Sequence, residues 1–453
     1  MGILQINYKT TKEKNNNLGY IIKKNPNTNM ILRKIRKGIA YGWYSNNNQS
    51  YNVYFKDADN EVSYGNQEFE YLDTKRYNAI QLYQNILNEF FSSTLKNISE
   101  EDKETIGKEK EIYINLIYIK NIKDIIIFQK YFNEKYKIEI THIEGKSYKL
   151  NIKTKQSFYE LFNFFNILTL FLILSAIDEF IEINEDTIKK YINSINIIDA
   201  PYFIRYIFST KMLKNRKMFE KYKQELSNIE KDKGDKIELK YGDTATQRKD
   251  IIKNILLGSI EWNNHIVDIG CGEGAYALDL SKKISVENKD YIAIDIDENV
   301  LDKLKNKILN IQKTKTNNSE NKELYKNIKI FNNIDKYITS IKNSQEKVNV
   351  LMTEVIEHMD IEESIKLLNK IKKLNFKNLI ITVPNKEFNK YYLLEENEFR
   401  HYDHNWEPTK KEFKDLMEKV YPKSLYNKEF IEIGDKVNDI STTLGCVIKI
   451  KVK

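Results

Sequence analysis

From residue 243 to the carboxyl end, short apolar runs alternate with stretches of helical period, and this alternation constrains the fold more than any other feature of the chain. A helix is expected over 246–257, then the strand HIVDIG, a glycine loop, a helix over 275–283, the strand YIAIDID, a helix over 299–311 and the strand IKIFNN. VNVLMTE, a helix over 362–374, NLIITVP and two late strands around FIEIG and CVIKIKV complete the series. Strands separated by covering helices make a mostly parallel α/β sheet, here of seven strands, with ligands at the carboxyl-end rim.

At that rim lies VDIGCGEG (267–274), in which Asp268, Gly270, Gly272 and Gly274 are spaced D-x-G-x-G-x-G between a strand and a helix. Glycines let the backbone turn tightly and approach a ligand, and the helix amino end offers free N–H groups. Such a loop alone is weak evidence, because dinucleotide enzymes carry a similar run. Asp295, at the end of the next strand, sharpens it as an acceptor for two ribose hydroxyls. The competing structural reading of Asp295 and Asp297 is a helix cap.

Three of the five histidines fall in or near TEVIEHMD (353–360) and FRHYDHNWEPTKKEF (399–413). Offsets of three and four residues would turn Glu354, Glu357 and His358 to one face of a starting helix, with His404 completing the set from a loop. Two carboxylates with two imidazoles suit Mn²⁺ or Mg²⁺ better than structural zinc, which usually recruits thiolates. Each segment alone reads equally as a helix start with dipole-complementing acids or as a loop with ordinary histidines. Together, after successive strands, they read as a metal site. His401 is left between substrate contact and flank, and His142 and His265 lack such neighbours.

VDIGCGEG, AIDID and the strand-end TEVIEH resemble the cofactor core of class I S-adenosylmethionine-dependent methyltransferases. EVIEHMD with RHYDHNWEPTKKEF further resembles the 3′-terminal RNA ribose 2′-O-methyltransferases of the HEN family. The resemblance implies a class I methyltransferase fold, metal ligation by Glu354, Glu357, His358 and His404, and His358 and His404 as the catalytic histidines. Asp268 and the loop glycines would position the methionine part of S-adenosylmethionine, with Asp295 on its ribose. Gln247 and Arg248 would reach the cofactor carboxylate or an RNA phosphate, or simply lie on a surface helix. The implied reaction is divalent-metal-dependent methylation of the 2′-hydroxyl of the last ribose of RNA, on a free 2′,3′-diol and not on DNA. The alternatives are a non-catalytic scaffold in a repair assembly and a metal-dependent small-molecule O-methyltransferase.

The 453 residues call for more than one core. The first half mixes strand-like segments such as YNVYFKD (51–57) with a helical stretch over 75–91, so an α+β module is expected over 1–225. A charged, glycine-containing linker follows over 226–239, and the methyltransferase domain spans 240–453. NNNLGYIIKKNPN (15–27) and residues 71–95 resemble the amino-terminal module of bacterial members that act beside a polynucleotide kinase-phosphatase with ligase activity. That resemblance implies a module that engages the repair partner or assists ligation.

LFNFFNILTLFLILSAI (161–177) is slightly short for a membrane span, holds Asn163, Asn166 and Thr169, and runs into Asp178 and Glu179, so it reads as a buried helix. No membrane partner is expected, and the polar start of the chain lacks the apolar core of a secretory signal. Two distant cysteines, Cys271 and Cys446, fit a reducing cytoplasm. A net charge of +8 permits an anionic partner without demanding one.

Overall fold

The computed structural model describes residues 2–8, 18–35, 38–56, 78–175, 184–227, 234–258, 264–314, 325–341 and 346–451. Parts of several sequence readings lie outside these: 15–17 and 71–77 of the two amino-terminal segments, 57 of YNVYFKD, 75–77 of the helical stretch over 75–91, 176–177 of the apolar segment with Asp178 and Glu179, 228–233 of the linker and 452 of the last strand. The described residues divide into two compact units, 1–215 and 216–453.

The first unit is built on seven strands: β1 (Ile3–Tyr8), β2 (Ile31–Ile35), β3 (Gly38–Ser45), β4 (Ser50–Lys56), β5 (Lys110–Tyr118), β6 (Tyr136–Glu144) and β7 (Ser147–Thr154). They form an antiparallel sheet ordered β2-β3-β4-β1-β5-β7-β6. In β1 every second residue is buried, so Leu4, Ile6 and Tyr8 point into the core. The apolar segment forms the helix Phe158–Ser175, long and apolar enough to cross a membrane by length and composition, yet buried over 78% of its span. Asp102 caps it by accepting from the backbone N–H groups of Phe158 and Tyr159 at 2.8 and 2.9 Å.

The second unit carries β8 (Ile237–Glu238), β9 (His265–Ile269), β10 (Tyr291–Ile294), β11 (Ile328–Phe331), β12 (Val348–Thr353), β13 (Phe376–Pro384), β14 (Tyr426–Val437) and β15 (Ile440–Ile450). Their order is β11-β10-β9-β12-β13-β15-β14-β8. The seven expected strands are all present, and a two-residue edge strand is added to them. Strands β9 to β13 pair in parallel, whereas β15 runs antiparallel to β13 and to β14. The two late strands are longer than their apolar runs because Asn438 and Asp439 both take positive φ and close a tight hairpin. β12 and β13 are buried almost throughout, as a sheet covered on both faces requires.

The division falls earlier than the expected boundary. Helix Arg216–Leu226 belongs to the second unit, where Arg216 pairs with Asp250 at 2.6 Å and Phe219 packs edge-on against Tyr241. The expected linker is also partly structured, since Ile237 and Glu238 pair with β14. The charged composition of 216–226 concealed a helix whose inward residues are only Phe219, Tyr222 and Leu226.

Candidate functional site

Asp268 ends β9, Asp295 follows β10 and Glu354 follows β12, so all three sit at the carboxyl-end rim. Gly270, Gly272 and Gly274 take φ of 73°, 51° and 80°, a region that favours glycine. A Cβ on Gly270 would meet Val355 Cγ2 at 2.5 Å, and one on Gly274 would meet Leu304 Cδ1 at 2.4 Å. At Gly272 a Cβ would meet nothing within 4 Å, so the middle of the loop opens onto free space.

Asp268 is fully buried; Tyr291 donates to its Oδ2 at 2.7 Å, while Oδ1 has no hydrogen-bond partner. Burial, opposed by the Tyr291 bond and aided by the charge of Asp295, pushes its pKa up to about 7. Asp295 accepts from the backbone N–H of Gly272 at 2.8 Å and of Asp297 at 3.0 Å, and thereby ties the glycine loop to the next strand end. Asp297 instead accepts from Asn299 N at 2.8 Å, the capping geometry. Burial pushes the Cys271 thiol up, with Asp268 and Asp295 adding to it, so no reactive thiolate stands in the loop.

The EVIEH segment is not the start of a helix. Glu354 turns off β12 with φ of 55°, residues Ile356–His358 make a single tight turn, and the helix Ile361–Ile371 begins only after Asp360. This separates the expected quartet. Ligand atoms of Glu357, His358 and His404 lie within 4.8 Å of one another, able to hold a metal ion. Glu354 points elsewhere: its Oε2 pairs with Arg248 Nη1 at 3.2 Å and its Oε1 accepts from Thr382 Oγ1 at 3.1 Å.

Both carboxylate oxygens of Glu357 are buried without a hydrogen-bond partner. Burial first, and the charge of Glu354 second, push its pKa well above the ordinary carboxylate value. A buried carboxylate with no donor is costly unless a proton or a cation compensates it. The donor set of one carboxylate and two imidazoles suits a divalent cation.

Glu407 was missed in the sequence, although it lies inside the HNWE segment. It is 3% exposed, and its Oε1 accepts a hydrogen bond from His404 Nδ1 at 2.6 Å. The backbone N–H of Arg400 at 2.8 Å and Asn389 Nδ2 at 2.5 Å hold the same carboxylate. Burial alone would raise its pKa, but the bonds from His404, Asn389 and Arg400 outweigh it and keep Glu407 ionised. A carboxylate three residues after a histidine was the available signal. The loop is sewn to the turn: Asn405 N and Trp406 N donate to Glu357 O at 2.8 and 3.3 Å, and Trp406 Nε1 donates to Ile356 O at 2.8 Å.

His358 Nδ1 lies 3.2 Å from Asp403, which also bonds His401 Nδ1. His401 is half-exposed and stands outside the three-residue group. Gln247 is buried and donates to Lys240 O, Gly242 O and Asp435 Oδ1, a framework role that removes it from the candidate ligand contacts. Of His142 and His265, the first bonds Gly145 O and the second accepts from Asp290 N.

A family profile described as the Hen1 N-terminal domain matches residues 9–231, and a methyltransferase-domain profile matches residues 215–420. A search of curated protein sequences finds no match. Among solved structures, a chain of the Pnkp1/Rnl/Hen1 RNA repair complex is 25% identical with a TM-score of 0.78, covering 99% of this chain and 100% of that one. A second structure of the Pnkp1/Rnl/Hen1 complex gives 24% identity and a TM-score of 0.77, again with 99% and 100% coverage. The methyltransferase domain of bacterial CtHen1 is 28% identical over 46% of this chain and 100% of its own, with a TM-score of 0.36. With an antiparallel-sheet Hen1 N-terminal domain and a methyltransferase domain joined in one polypeptide, the chain belongs to the Hen1 family.

Proposed function

We propose that the chain transfers a methyl group from S-adenosylmethionine to the 2′-hydroxyl of the 3′-terminal ribose of RNA, with a divalent cation, Mn²⁺ or Mg²⁺, in the Glu357–His358–His404 group. The observation that carries this reading is Glu357, whose two buried oxygens lack any donor while two imidazoles stand beside them. Glu354 is the fourth proposed ligand; it would have to exchange Arg248 for the ion.

The cofactor, when bound, supplies an electrophilic methyl on a sulfonium; the cation supplies Lewis acidity toward two vicinal hydroxyls. The rest falls to the protein. Gly270 and Gly274 let the loop pack against Val355 and Leu304, Gly272 leaves its middle open to the methionine part, and Asp268 lends the loop a carboxyl with one free oxygen. Asp295 keeps lone pairs for the cofactor ribose while fixing Gly272. Glu407, by accepting the Nδ1–H hydrogen bond of His404, would leave the Nε2 lone pair to hold the ion. Carbon–sulfur cleavage and oxygen–carbon bond formation also release the hydroxyl proton, and for His358 or His404 to accept it the ring nitrogen would have to leave the ion.

A site that grips two neighbouring hydroxyls reads a free diol, which internal nucleotides, 3′-phosphates and DNA ends lack. The likeness to a chain of the Pnkp1/Rnl/Hen1 repair complex supports action on cleaved RNA beside a kinase-phosphatase and ligase, with residues 1–225 engaging that partner or assisting ligation. Two buried free cysteines accord with a reducing cytoplasm. Incubation with labelled S-adenosylmethionine, Mn²⁺ and RNA ending in 2′,3′-OH tests the reading. Label is expected on the terminal ribose alone, and equal labelling of a 3′-phosphate end would defeat it.

A further inference from the structure

The N-terminal unit holds a cleft of about 880 Å³ between helices Ser92–Lys96 and Glu185–Ile197 and the first turn of Phe158–Ser175. Lys96, Lys189 and Lys190 line it, against Asp186 as the one lining carboxylate among the described residues. None of the three lysines forms an ion pair among the described residues. Among the described residues, three lysines against one carboxylate around one concavity make a positive potential.

The helices that carry the lining are tied together behind it. Asn88 donates to Asn166 Oδ1 at 3.1 Å, Asn166 to Ser194 Oγ at 2.9 Å, and Ser194 to Asn163 Oδ1 at 2.6 Å. Asn163 in turn donates to Leu95 O at 3.1 Å, so a chain of buried amides ties all the walls together. Two amides of a mostly apolar helix, Asn163 and Asn166, are thus spent on holding the neighbouring helices in place. In the lining itself the amides of Asn97 and Asn193 stand exposed, each with both donor and acceptor groups.

We infer that this cleft binds an unpaired RNA segment, its phosphates on Lys96, Lys189 and Lys190 and its base edges toward Asn97 and Asn193. Fixed cations favour a polyanion, and neutral amides bond base edges that only an unpaired strand offers freely. A site for an apolar small molecule would instead be lined mainly by hydrophobic side chains. The assignment is independent of methyl transfer.

The test uses the full chain and a short 4-thiouridine-labelled RNA ending in 3′-phosphate, which lacks the terminal diol. Ultraviolet cross-links are expected in peptides containing residues 88–97 and 185–197. The Lys96→Glu/Lys189→Glu/Lys190→Glu variant should bind about ten-fold more weakly or worse, with a salt dependence shallower by about 2, from roughly 0.7 per lost phosphate contact. The corresponding triple Lys→Gln variant should lie between it and the parent, at an unchanged melting temperature. Cross-links confined to 216–453 would overturn the proposal, and so would unchanged affinity, which leaves the lysines to an acidic protein surface. Adenosine monophosphate binding as tightly as the RNA would replace the strand with a free nucleotide and overturn it too.

Discussion

His404 presents Nδ1 to Glu407 Oε1 at 2.6 Å, and that contact determines which of its nitrogens remains for the Glu357–His358–His404 group. Glu407 is itself buried and held by Asn389 and Arg400, so the imidazole is oriented by a fixed carboxylate. Replacing Glu407 with Gln should therefore weaken Mn²⁺ binding by about 10–100-fold while leaving S-adenosylmethionine affinity within about two-fold. Calorimetric titration of each ligand checks both halves, and unchanged Mn²⁺ affinity would remove the orienting role.

His401 and His404 differ in their surroundings although only two residues lie between them. His401 spends Nδ1 on Asp403 in a half-exposed loop, outside the three-residue group. Substituting His404 by Ala should abolish measurable Mn²⁺ binding and methyl transfer, whereas His401→Ala should retain metal affinity within about three-fold. The reverse order would reassign the ligand.

Asp268 makes stability depend on pH in a stated direction. Its folded value of about 7 lies above the ordinary 3.8, so its neutral form stabilises the fold fully below pH 3.8. That contribution falls as pH rises toward 7, because the unfolded chain has already released the proton. Denaturant unfolding of the cofactor-free protein should show a loss on the order of a few kcal/mol across this window, absent from Asp268→Asn. A flat profile for both proteins would contradict the burial argument.

Gly270 and Gly272 both take positive φ but face different neighbours. Gly272→Ala adds only left-handed strain, about 1–2 kcal/mol. Gly270→Ala adds the same strain and forces a methyl to 2.5 Å from Val355 Cγ2. Thermal unfolding should rank Gly270→Ala as the less stable of the two. Gly272→Ala should keep the fold yet lose S-adenosylmethionine affinity, since its methyl enters the open space of the loop.

Much of the second unit was legible in the chain because period and spacing are local quantities. Apolar runs between helical stretches named β9 to β13 and the late strands, and the D-x-G-x-G-x-G spacing marked where backbone would bend into positive φ. EVIEH and the downstream histidines were visible as a pair, and Glu357, His358 and His404 do meet. What spacing failed to give was orientation. An i, i+3, i+4 offset presumes a helix, but Glu354 N bonds Thr382 O and the chain leaves β12 through a left-handed residue, which turns that carboxylate toward Arg248. Gln247 looked like a surface candidate because nothing in a helix sequence announces a buried partner 188 residues away, Asp435.

The amino-acid sequence by itself determined the strand and helix series, the glycine loop and the identity of the donor groups, since each depends on residues close together along the chain. Tertiary structure alone decided that Glu357 is stripped of donors, that Glu407 orients His404, and that three lysines without an ion pair among the described residues share one cleft in the N-terminal unit. Burial and electrostatic environment are set by residues remote in sequence, and they exist only once the chain has packed.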